Sequence, residues 1–103
     1  MTEPNAPDIE IYIAKIDAEQ AIAWLATVFD KVENKPKPRG TPKNASPLTI
    51  NWQQREIFAV VYEKVAPGFT SIWIDSNELP WSNDQQCAIE AARALKSPVR
   101  ITA

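Results

Sequence analysis

Few of the residue types that carry chemistry are present in this chain. Histidine is absent and cysteine occurs once, which removes the commonest general base and metal ligand. Zinc binding, iron–sulfur binding and Cys-His catalysis have no residues to use. Cys87 sits among alanines in a helical pattern and reads as a small core hydrophobe rather than a nucleophile. Gly40 and Gly68 are the only glycines, so there is no glycine-rich phosphate cradle. Asp75, Glu78 and Asp84 lie close in sequence, but their spacing matches no calcium loop. The expectation is therefore no catalytic residue, no metal site and no cofactor.

Two groupings could bind rather than react. Lys35, Lys37, Arg39 and Lys43 alternate with Pro36, Pro38, Gly40 and Pro42 in one short stretch. Such a stretch forms an exposed loop, extended in part, with cations that could grip an anion. If Ile9, Ile11, Ile13, Leu48, Ile50, Trp52, Ile72 and Ile74 point at the helices, Tyr12, Phe69 and Trp73 point away, and with one half of the Ile57–Tyr62 run, Phe58 and Tyr62, they make a candidate partner-binding face. A basic loop beside an aromatic sheet face loosely resembles RNA-recognition folds, which stack bases on a sheet. The RNP-type motif is absent, and the net charge of −2 gives no overall basic field.

The elements that must position these residues centre on three runs. Leu48–Trp52 alternates apolar and polar residues, the period of a half-buried strand. Ile57–Tyr62 is apolar on both parities and reads as a strand covered on both sides. Phe69–Asp75 follows Pro67-Gly68, which suits a type II turn between the second and third runs. The connection at residues 53–56 lacks Gly or Asn, so its geometry is open. Upstream, Ile9–Ala14 alternates as a strand. A helix starts at the Asp17 cap, with Gln20 completing a capping box, and should run to near Asn34, before Pro36. Downstream, Ser82 is the expected cap of a second helix with Gln85 three residues on. Leu79 or Trp81 should tuck in ahead of it. Ser97-Pro98 ends that helix and Val99–Thr102 is a last short strand.

The predicted order is β-α-β-β-β-α-β: a two-layer α+β sandwich with both helices on one face of a mixed five-stranded sheet. Strand order 1-2-3-4-5 follows if each helix joins neighbouring parallel strands; alternatively the last strand pairs with the first. Residues 9–102 make one domain, with an exposed Pro/Lys-rich loop at 35–47. Residues 1–8 read as a disordered tail with no secretory signal. With 103 residues, 45% of them hydrophobic and 23% charged, the composition is that of an ordinary soluble globular protein. No apolar run spans a bilayer, and a cytoplasmic location fits. The sequence favours a non-enzymatic binding or accessory module. Its partner is itself or another protein, through the open face. The alternative is nucleic-acid or anionic-ligand binding by the basic loop with that face.

Overall fold

The computed structural model describes residues 8–75, 80–81 and 83–101. The expected tail lies almost wholly outside them, as do Glu78, Leu79, Ser82 and Thr102. The elements in chain order are β1 (Ile9–Ala14), α1 (Ala18–Val28), β2 (Lys31–Asn34), β3 (Ala45–Trp52), β4 (Arg55–Ala66), β5 (Phe69–Ile74), α2 (Asp84–Leu95) and β6 (Val99–Ile101). This is an α+β sandwich of two helices and one sheet.

The sheet corrects the expected one in two ways. It has six strands, in the order β2-β3-β4-β5-β1-β6, and every neighbouring pair is antiparallel. The unforeseen strand is β2. Helix α1 stops at Val28, where the Phe29 cap is extended and its N–H donates to the Leu25 carbonyl. Val32, which fits the apolar face of a continued helix, instead pairs with Ile50 and packs on the core from the sheet edge. An apolar residue at such a position satisfies either period, so the pattern does not decide between them.

With β2 in place, β2 to β5 form a meander and β1 docks on β5, so β1 sits inside the sheet. Strands an even number of places apart still run parallel, so β1 and β2 are parallel but four spacings apart, about 19 Å. The 11 residues of α1 supply about 16 Å of that bridge. The alternative pairing of the last strand with the first is the one adopted, with Ile13 opposite Val99.

The buried parity is the expected one. Ile9, Ile11, Ile13, Leu48, Ile50, Ile72 and Ile74 are at most 1% exposed and face the helices. Trp52, on the same side, meets Phe29 edge-on. Trp24 stacks on Trp81 with centroids 5.6 Å apart, and Phe29 meets Trp81 edge-on. Trp81 thus tucks in ahead of α2. Its indole N–H, fully buried, has no hydrogen-bond partner among the described residues.

Local signals explain most boundaries. Asp17 and Gln20 form the reciprocal capping box, and Glu63 Oε2 accepts from the Ala18 N–H at 2.6 Å, satisfying another first-turn donor. Asn83, not Ser82, accepts from the Gln86 N–H and caps α2. An Asn cap competes well with a Ser cap, and Gln86 stands three residues beyond it. The β3–β4 connection is a two-residue turn in which Gln53 and Gln54 both have positive φ, 50° and 66°, the geometry of a type I′ hairpin. Gly68, with φ 81°, fits the third position of the expected type II turn.

A candidate binding groove on the open sheet face

Rows of side chains cross the sheet on the face away from the helices. One row is Pro47, Val60, Trp73 and Glu10; the next is Ala45, Tyr62, Ser71, Tyr12 and Arg100. Phe58 stands opposite Thr49. A bare face would leave all of these wet, yet Val60 is 6% exposed and Ser71 2%. Their larger neighbours close over them, while Phe58 remains 41% exposed.

The proline-rich loop lies on the same side and shares a groove with Val60. It is expected to be exposed over 35–47, and its residues 35–40 and 42–43 are. It is not free of the sheet, however, and strand β3 begins within it, at Ala45. Thr41 donates through both its N–H and its hydroxyl to the Pro38 carbonyl, and Gly40 has φ 90°, so 38–41 is a type II turn. The Lys37 ammonium donates to the Lys43 carbonyl at 3.2 Å. Asn44 exchanges two hydrogen bonds with the Glu63 backbone, fixing the loop's end to β4. Pro47 fits inside β3 because its carbonyl accepts from the Lys35 N–H. Its missing donor faces that same side, where β2 has ended, so the ladder to β4 loses nothing.

Between loop and sheet lies a groove of about 490 Å³. Pro36, Pro38 and Pro42 line the loop side; Pro47, Phe58, Val60, Tyr62 and Trp73 line the sheet side. Phe58 meets Trp73 edge-on, with centroids 5.9 Å apart. The Lys35 ammonium lies 5.4 Å from the Phe58 ring centre, a cation–π contact. The Trp73 indole N–H donates to Asp8 Oδ2 at 2.6 Å, which locks the ring's orientation.

The structure thus brings Phe58, Tyr62 and Trp73 together with Lys35. Tyr12 and Phe69 share their face but lie outside the groove. Tyr12 is separated from Tyr62 by Ser71 and donates its hydroxyl to Glu10. Burial, helped by Glu10, raises its pKa. Phe69 lies at the sheet's other end under the Arg100 guanidinium. Lys37, Arg39 and Lys43 are exposed around the loop.

Sequence reasoning did not single out the prolines as lining residues, nor Asp8 as the anchor of the Trp73 ring. One signal pointed to the prolines: the doubly apolar run Ile57–Tyr62 requires something over its second face. Of the three carboxylates near the α2 cap, Glu78 is not described, Asp75 is exposed, and Asp84 accepts from the Glu10 N–H. Burial raises the Asp84 pKa, the Glu10 N–H opposes the shift, and Asp8 adds to it. Cys87 is fully buried, and burial first, then Asp84 and Glu90, pushes its thiol far up.

Comparison with protein-family models, with curated proteins and with solved structures finds no match. No helix among the described residues is long and apolar enough to cross a membrane.

Proposed function

We propose that this chain is a non-catalytic binding module that receives a protein segment in the groove on its open sheet face. The observation that supports this most is Phe58, a large apolar ring 41% exposed in a groove lined mostly by prolines, Val60 and two further aromatic rings. Its lining holds one lysine and two hydroxyls, and no carboxylate, histidine or cysteine. That set can bury apolar groups and orient an occupant; it offers little for general acid–base work. The loop makes the face a trough with a wall, a shape suited to a segment rather than to another flat sheet.

The test is selection from a random peptide library on the immobilised protein, counter-selected against Phe58→Thr, a change that keeps strand propensity. Peptides that bind the native chain and not the variant support the reading, and their absence contradicts it. Light scattering on the same two proteins decides the partner. A dimer that Phe58→Thr dissolves assigns the groove to a second copy. A monomer at high concentration assigns it to a different protein.

A second reading has one observation in its favour. Lys35 sits on an exposed ring, and a cation beside an aromatic face is how single-stranded nucleic acid is held. Titration with single-stranded RNA at low and moderate salt tests it. Binding lost in Lys37→Ala with Arg39→Ala would favour it, whereas no binding even at low salt disposes of it.

A further inference from the structure

The geometry points to an acidic occupant: an extended protein segment with apolar side chains against Phe58 and Trp73 and carboxylates against the loop. This inference rests on the groove reading above and adds the chemistry of the partner.

The loop side of the groove carries one sign of charge. No Asp or Glu occurs from Asn34 to Arg55, while Lys35, Lys37, Arg39 and Lys43 all do. Among the described residues no ion pair joins these four cations to a carboxylate. Lys37 reaches only a backbone carbonyl, that of Lys43. Of the carboxylates on the same face, Glu33 pairs with Lys31 at 3.3 Å, Asp8 holds the Trp73 indole and Glu10 accepts from Tyr12, while Glu56 and Asp75, exposed beside Phe58, do not line the groove. With a net charge of −2, the chain has no general affinity for anions, so the positive field is local to this rim. A basic segment would be repelled there and an acidic one attracted, which is selectivity by charge.

The same geometry favours a protein segment over RNA. Stacking of successive bases needs parallel ring platforms, but Phe58 and Trp73 meet edge-on at 74°. The proline wall has no backbone N–H to offer, so charged recognition on that side falls to Lys35, the one cation in the lining, with Lys37, Arg39 and Lys43 exposed around the loop.

The experiment reads the composition and salt response of peptides that bind the native chain and not Phe58→Thr. Enrichment in Asp and Glu beside apolar residues is expected. So is affinity that falls about tenfold between low salt and about 1 M, where screening acts within about 3 Å. Lys37→Glu with Arg39→Glu should weaken such peptides by a similar factor and leave the fold unchanged by circular dichroism. Phe58-dependent peptides without acidic bias, or indifferent to salt, overturn the acidic inference and leave the groove reading standing. No Phe58-dependent peptide at all overturns the groove reading itself. Binding of an oligouridylate that Phe58→Thr abolishes replaces the protein segment with RNA.

Discussion

Phe58 and Trp73 sit on adjacent strands of the open face with ring centroids 5.9 Å apart and planes at 74°, yet only Phe58 is strongly exposed. The pair splits structure from contact. Trp73 is held by Asp8 and braces the sheet, while Phe58 offers its surface outward. Phe58→Thr should therefore cost about 1 kcal/mol or less of stability, and Trp73→Ala about 2–4 kcal/mol. Urea unfolding of the two variants checks the ordering; equal losses would remove the distinction.

The hairpin at Gln53-Gln54 holds two non-glycine residues at positive φ. Each costs about 1 kcal/mol relative to a residue suited to that region. Gln54→Gly should raise the unfolding free energy by about 0.5–1 kcal/mol. Thermal and urea unfolding would show it, and a loss of stability would mean the turn is not of this type.

Cys87 is inaccessible and its thiol is held neutral by burial and two nearby carboxylates. The native protein should not react with a thiol-specific disulfide reagent between pH 7 and 9, whereas the urea-unfolded chain should react at once. A group with a raised folded pKa stabilises below its unfolded value, about 8.5 for a thiol, and loses that contribution as pH rises above it. Stability should therefore fall above about pH 8.5, and Cys87→Ala should remove part of that slope. A slope identical in the variant would contradict the assignment.

Trp24 and Trp81 stack at 5.6 Å with planes 20° apart, close enough for their transitions to couple. A paired circular-dichroism band of opposite signs is expected in the native chain and should vanish in Trp24→Phe. Survival of the band in that variant would place the coupling elsewhere.

Residue pattern foretold some of this architecture and not the rest, for definite reasons. The Ile9, Ile11 and Ile13 alternation fixes which side of the sheet meets the helices, because a strand's period leaves no second choice. Strand order is another matter. Val32 satisfies helix and strand alike, so the sixth strand stayed hidden, and with it the antiparallel order that β2 imposes. The groove was half visible: the double-sided apolar run at Ile57–Tyr62 announced a cover over its outer face. That the proline loop lies on that side depends on the Thr41 and Asn44 bonds, which no local pattern encodes.

The central claim is that the trough between the loop and the rings is the contact surface. Its most direct test is a chemical-shift map of the isotopically labelled chain titrated with a Phe58-dependent peptide. The account predicts shifts at the Trp73 indole N–H, Val60, Tyr62 and the 35–45 backbone. It predicts none at Ile89, Val99 and Ile101, which line a separate groove between α2 and β6. Shifts confined to that second groove would contradict it.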